Sequence, residues 1–273
     1  MEQQRPHVGR PEARRGFDRL ARLGFLAKGA VYLLVGGLAL EAAVGTGGQV
    51  SGSGGAVRTI GQQPFGKALL ILTGLGLFGY ALWRAANVFV VSDRDTGKRW
   101  LKRIGYSLSG LLHAALGVSA FQLALGGDGS VGSSRKTWLA TLLGAEPVGP
   151  ILVGALGAFA VGFGLYELKK AYTADFTEEF RPGTLSRAGT WLVPLGRVGL
   201  TARGIVLPIV GFYLVKAAIT TNPQNIKGVG GALREIASSS GGTILLGVVA
   251  AGLLAYGLFE MAAARFRHVP KPA

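Results

Sequence analysis

Six apolar runs, each about twenty residues long, constrain this chain more than any other feature. They lie near residues 23–44, 66–90, 104–126, 149–168, 198–219 and 242–264. At 1.5 Å per residue, each is long enough to cross a hydrocarbon core of about 30 Å as a helix. Composition agrees. Only 16% of residues are charged and 45 of 273 are Gly, against about 25% and 7% in soluble domains. A disordered chain is excluded, because that state needs low hydrophobicity. The first run follows basic residues (Arg14, Arg15, Arg19, Arg22) and could be mistaken for a signal peptide. It is longer than a usual h-region and matches two later runs, so it is read as a retained span.

The formal charge of +15 fits nucleic acid or an anionic membrane surface. Position decides for the membrane. Twenty-two Lys/Arg fall in the tails and the even-to-odd links, and seven fall in the other three loops. The positive-inside rule then puts both termini in the cytoplasm of a multi-pass cell-membrane protein. The expected partners are anionic lipid headgroups and possible further membrane proteins, and no nucleic acid. The three opposite loops are rich in Gly and Ser, as in Ser51–Gly55 and Gly126–Ser130. They lack the apolar content for a domain of their own.

The runs also repeat. The first, third and fifth share the spacing Arg-x6-Gly-x6-Gly-x6-Ala: Arg22, Gly29, Gly36, Ala43; Arg103, Gly110, Gly117, Ala124; Arg197, Gly204, Gly211, Ala218. The others start at Gly66, Gly149 and Gly242 and align without gaps. Each closes on an aromatic pair (Tyr80/Trp83, Phe163/Tyr166, Tyr256/Phe259) and then a charge: Arg84, Glu167, Glu260. Three two-helix repeats follow, all in one orientation because each has an even number of spans. The expected fold is all-α: six transmembrane helices with pseudo-threefold symmetry. The divisions are a basic tail (1–17), repeat 1 (18–92), repeat 2 (101–173), a cytoplasmic linker (174–195), repeat 3 (196–267) and a tail (268–273). Seven steps of about 100° nearly close two turns, so Gly29, Gly36, Gly110, Gly117, Gly204 and Gly211 form helix-packing stripes. The Arg at the foot of each stripe is expected to snorkel to headgroups, and the aromatic pairs to form an interfacial belt.

Residues Arg22–Tyr32, Gly79–Trp83, Gly196–Gly204, Gly230–Arg234 and Ala255–Glu260 resemble a bacterial family, the domain of unknown function 1206. Its members are multi-pass membrane proteins built from three copies of a two-helix unit. The likeness covers about residues 17–267. Repeat 2 departs most, with Ser109 where repeat 3 has Arg203. The resemblance implies topology and supplies no catalytic residues.

No cofactor, metal or catalytic set is read from the chain. Cys is absent, and the three His (His7, His113, His268) are scattered, without metal-ligand spacing. Gly74-x-Gly76-x-x-Gly79 spells a dinucleotide fingerprint but sits inside an apolar helix rather than after a strand. The informative positions are polar residues inside the spans, which are costly in lipid. Lys28, Ser109 and Arg203 recur at one level, and Glu41, Gln122 and Lys216 thirteen residues later. Thirteen steps leave Lys28 and Glu41 about 140° apart, so the two cannot face one central pore on a straight helix. Ion pairs Arg203–Glu260 and Lys28–Glu167 are expected from charge complementarity. Arg84 and His113 complete the candidates, with Pro208 freeing the Gly204 carbonyl beside Arg203. The reading is a non-enzymatic scaffold or a lipid- or partner-binding bundle; the alternative is a small-solute or ion transporter or channel with a threefold internal repeat. A polar cavity touching His113, Lys28 or Arg203 would favour transport, and a dry Gly/Ala-packed centre the structural role.

Overall fold

The computed structural model describes residues 11–91, 96–127 and 131–267. The expected tails fall largely outside them, as do His7, His268 and the end of the Gly126–Ser130 loop. The described chain is helical: α1 Pro11–Ala43, α2 Ser53–Gly61, α3 Gly66–Val90, α4 Thr96–Ala124, α5 Val131–Leu143, α6 Val148–Thr173, α7 Thr184–Thr220, α8 Val229–Ser238 and α9 Gly242–Phe266. Six of these, α1, α3, α4, α6, α7 and α9, are long and apolar enough to span a membrane. Part of the expected 174–195 linker is helix, because α7 starts at Thr184 and runs through Pro194. The remainder forms a 3₁₀ turn at Asp175–Glu179 and folds under the bundle. There Phe176 is buried, its ring edge-on to Phe259, and Arg181 N–H donates to the Phe266 carbonyl at 3.0 Å.

The glycine stripes explain how the repeats close into a ring. Each odd helix packs on the even helix of the preceding repeat: α1 on α9, α4 on α3 and α7 on α6. The three seams share one register. A methyl group added at Gly29, Gly110 or Gly204 would approach the carbonyl oxygen of Gly257, Ala81 or Gly164, at 2.7, 3.4 and 3.1 Å. One added at Gly36, Gly117 or Gly211 would approach that of Ala250, Gly74 or Gly157, at 2.9, 3.3 and 2.5 Å. These partners occupy equivalent places in the three repeats. Backbone against backbone is how helices adhere in lipid, where apolar burial supplies no driving force. The same contacts settle the Gly74–Gly79 text match. Gly74 faces Phe121, Gly76 faces Ala27 and Gly79 faces Leu20, all within the bundle.

The loops at the other end carry one short helix per repeat, α2, α5 and α8, where the sequence reading expected only Gly/Ser-rich connections. Ala56, Val57 and Ile60 on α2 are buried, and so are Ala232, Leu233 and Ile236 on α8. That spacing of i, i+1 and i+4 puts three apolar side chains on one helical face. Gly66, Gly149 and Gly242 let the preceding short helix end directly against the next span, since a side chain there would strike the carbonyls of Gly61, Leu142 and Ala237.

Candidate functional site

Within a hairpin, repeats 1 and 3 are built alike. Gly24 lies against the backbone of Tyr80, and Gly199 against that of Tyr256. Gly76 lets α3 close on Ala27, and Gly252 lets α9 close on Ala202; a methyl group on either glycine would come within 2.6 and 2.5 Å of those side chains. Repeat 2 carries Leu108 and Phe159 at the equivalent places. Among the described residues, α4 and α6 form no packed seam. The Phe159 ring tip reaches the position a Gly105 methyl would occupy, at 3.7 Å. Interaxial distance follows the bulk of the side chains at the contact. An Ala–Gly pair replaced by Leu–Phe therefore wedges this hairpin apart.

The opening leads to a cavity of about 1980 Å³, against the usual 300–1,000 Å³ or so of a small-molecule site. Its lining includes the charged residues that the sequence singled out: Lys28, Arg84, His113, Glu167, Arg203 and Glu260. Lys28 is buried and donates to Glu260 Oε1 at 2.8 Å, to the Tyr256 hydroxyl at 2.7 Å and to the Tyr80 hydroxyl at 3.1 Å. Arg203 pairs with Glu167 at 2.9 Å and donates to the Tyr256 hydroxyl at 2.5 Å. That hydroxyl in turn donates to Glu260. Tyr256 thus joins the two ion pairs into one network. Desolvated charges are tolerated only when paired and hydrogen-bonded, and this network supplies both.

The partners are exchanged relative to the sequence expectation. Lys28 holds Glu260 and Arg203 holds Glu167, rather than the reverse. The cause is the ring. Each odd helix faces the even helix of the preceding repeat, so α1 meets α9 and α7 meets α6. The ion pairs lie in the same seams as the glycines, six residues from the ends of α6 and α9, or about 9 Å.

The third seam breaks the rule. Where α4 meets α3, Ser109 stands in place of the cation and Arg84 in place of the acid. Arg84 donates to the Tyr80 hydroxyl at 2.6 and 2.9 Å. It lies near the faces of Tyr80, Trp83 and Tyr106, with no carboxylate paired to it among the described residues. Arg267, which lies on Trp83 as Arg84 does, and Lys170 share Glu179 in the same cavity, so Lys28, Arg84, Arg203, Lys170 and Arg267 face Glu167, Glu260 and Glu179. His113 Nδ1 is 2.7 Å from the Ser109 carbonyl, and its ring sits 4.5 Å from that of Tyr80. Bonding capacity also remains unmet by protein at Arg203 Nε, Trp83 Nε1, Glu167 Oε2 and Glu260 Oε2.

Glu41 and Lys216 are not part of this cluster. Both are exposed at the short-helix end, as the 140° separation from Lys28 and Arg203 requires. Lys216 lies by Tyr213. The expected aromatic belt is corrected as well. Tyr80, Trp83, Tyr256 and Phe259 are buried inside the bundle, because the tyrosine hydroxyls are ligands of the charged network. Tyr166 alone of the six is exposed. Arg22 donates to the Ala264 carbonyl at 2.5 Å and pairs with Asp18; it caps the end of α9 instead of reaching outward. Pro208 packs on Gly164 in the α6–α7 seam.

The model of the Domain of Unknown Function (DUF1206) matches three segments of the chain, 23–90, 104–174 and 198–267, one per two-helix repeat. The chain belongs to the DUF1206 family. It is 32% identical over 262 residues to "Uncharacterized protein YxxB" of Bacillus subtilis (strain 168), which covers 94% of each chain. No solved structure matches it. Within the DUF1206 fold, the second repeat is the open one in this chain.

Proposed function

We propose that this protein is non-enzymatic and that it binds an amphiphile of the bilayer inside the helical bundle. One observation carries the reading: an apolar stretch adjoins the charged cluster within one cavity, between that cluster and a second polar rim of Lys136, Lys227, Arg234 and Glu235 at the short-helix end. Beyond the Lys28–Arg203 level, toward the short helices, its lining includes Val31, Leu116, Leu156, Leu207, Val210 and Leu214. Beyond Tyr32 and His113, which line its near edge, this stretch offers an ion little to stabilise it. A molecule with a polar head and an apolar chain is complementary to the charged cluster and to the apolar stretch beside it. The ionisable groups of the cluster support a binding role rather than catalysis, since Lys28, Glu167, Arg203 and Glu260 are committed to one another.

The cavity touches Lys28, His113 and Arg203, so a purely structural bundle with a dry centre is the weaker reading. Translocation of the bound molecule is a second possibility, favoured because the lining extends from Lys102 and Lys170 at the basic end to Gln224 and Gly228 at the other. We place the basic end, with both termini, in the cytoplasm against anionic headgroups, on the 22-to-7 distribution of Lys/Arg. Native mass spectrometry of the purified protein tests binding. It should carry bound amphiphile through detergent exchange, while vesicles containing the protein conduct no inorganic ions. Protein stripped clean by mild detergent, or ion flux above that of empty vesicles, would refute the reading.

A further inference from the structure

We infer that the gap between α4 and α6 is a lateral portal, through which an anionic, phosphate-bearing lipid of the basic-end leaflet seats its headgroup at Arg84, Lys28 and Arg203. This rests on the amphiphile-binding reading and specifies its ligand and its entry path. Three independent observations converge. The first is the wedge: Leu108 and Phe159 replace the Ala–Gly pairs that close the other two hairpins, and both line the cavity. The opening therefore faces lipid, and α4 and α6 are the least buried of the six spans. The second is charge. The α3–α4 seam offers Arg84 where the other seams offer an acid, and positive charge is in excess around it, with Lys28, Arg203, Lys170 and Arg267 set against Glu167, Glu260 and Glu179. A buried excess charge is costly unless a counter-charge is supplied, and a phosphate is a strong partner for Arg. The third is depth. The cluster lies about 9 Å inside the ends of α6 and α9, next to the headgroup layer rather than at the bilayer centre. A lipid of that leaflet seats its phosphate there, with an acyl chain along the apolar stretch of the cavity.

The portal runs along α4 on the same face as the cluster. Tyr106, Ser109 and His113 follow at three- and four-residue spacing, and all line the cavity. They give a headgroup polar contacts as it passes between α4 and α6.

The test is native mass spectrometry of the full-length protein after incubation with phosphatidylglycerol, phosphatidylcholine or free glycerol phosphate. Wild-type protein should retain one phosphatidylglycerol in preference to phosphatidylcholine and should not retain glycerol phosphate. The Arg84→Gln variant should narrow that preference about tenfold, the size of one lost charge-assisted hydrogen bond. The Leu108→Ala/Phe159→Gly variant restores the pairing found in repeats 1 and 3. It should lose the retained lipid without a fall in thermal stability, which separates portal closure from misfolding. Retention of phosphatidylcholine and phosphatidylglycerol alike, or full retention by the Leu108→Ala/Phe159→Gly protein, overturns the portal and its headgroup preference while leaving amphiphile binding standing. Retention of no lipid at all overturns both. Binding of glycerol phosphate as tightly as the lipid would mark a site for free phosphates and overturn the lipid assignment.

Discussion

Replacing Glu260 with Gln removes the counter-charge of Lys28 while keeping the shape of the side chain. Lys28 is 3% exposed. After the change it keeps the hydroxyls of Tyr256 and Tyr80, at 2.7 and 3.1 Å, and loses its carboxylate at 2.8 Å. Breaking a buried pair by removing one partner costs about 3–5 kcal/mol, because the other charge is left uncompensated. A neutral hydrogen bond between membrane helices averages only about 0.6 kcal/mol. The two cases are therefore well separated. Equilibrium unfolding in mixed micelles, followed by tryptophan fluorescence, gives the free energy. Glu260→Gln should lose about 3 kcal/mol or more. The Lys28→Met/Glu260→Gln double variant should lose less than the sum of the two singles by about 1–3 kcal/mol, since neither charge then remains. A loss below about 1 kcal/mol, or additive losses, would show that Lys28 is solvated and that no buried pair exists.

Further expectations concern the seams, the bundle ends and the topology. Gly211→Leu places a side chain against the Gly157 carbonyl and Val161 backbone, and should destabilise the protein by about 1–3 kcal/mol in the same unfolding assay. Gly162→Ala, which meets nothing within 4 Å, should keep stability or raise it by up to about 1 kcal/mol. At the short-helix end, Lys227 bonds to Glu235 and Tyr213 donates to Glu235. These bonds lower the Glu235 carboxyl, and the bond to Glu235 raises the Lys227 ammonium. The lowered carboxyl makes the contact present above about pH 4.5 and lost as pH falls through its shifted value. The raised ammonium makes it present below about pH 10.5 and lost as pH rises through its own. Protection of the α8 amides, corrected for the intrinsic pH dependence of exchange, should fall at either extreme and stay flat between them. In intact cells a single Cys in the 174–183 link should resist a membrane-impermeant maleimide, and one near Gln224 should react; the opposite pattern would invert the topology.

The parts of this molecule legible in its sequence are those set by periodicity. The Gly29/Gly36, Gly110/Gly117 and Gly204/Gly211 stripes are visible because two helical turns nearly close in seven residues, and they become the three seams. Lys28, Arg84, His113, Glu167, Arg203 and Glu260 stood out because charge inside a span is rare, but Glu41 and Lys216 stood out equally and lie elsewhere, and Lys170, Glu179 and Arg267 near the helix ends did not. The pairing was not legible. Lys28 and Glu167 are complementary in sign, but partners are chosen by which helices touch, and the ring places α9 against α1. Tyr80 and Tyr256 read as an interfacial belt because an aromatic near a helix end has two uses. Only the neighbouring Lys28 and Arg203 show that these hydroxyls point inward. The short helices were missed because nine to thirteen residues rich in Gly and Ser give a weak pattern. The open hairpin was present in the aligned repeats all along. Phe159 stands in the column of Gly76 and Gly252, and Leu108 in that of Ala27 and Ala202. Its meaning depends on knowing that this column lies inside each hairpin.

The asymmetry of the ring is open to direct measurement, helped by the absence of cysteine. Leu26/Leu82, Ser107/Leu165 and Thr201/Leu258 are equivalent, exposed pairs on the two spans of repeats 1, 2 and 3. Each pair can be replaced by two cysteines, spin-labelled, and its separation read by pulsed electron paramagnetic resonance in lipid nanodiscs. The first and third pairs should give matching distances and the second a clearly longer one. Three equal distances would mean that the second hairpin is closed in the bilayer, and the cavity with its charged floor would have no opening to lipid.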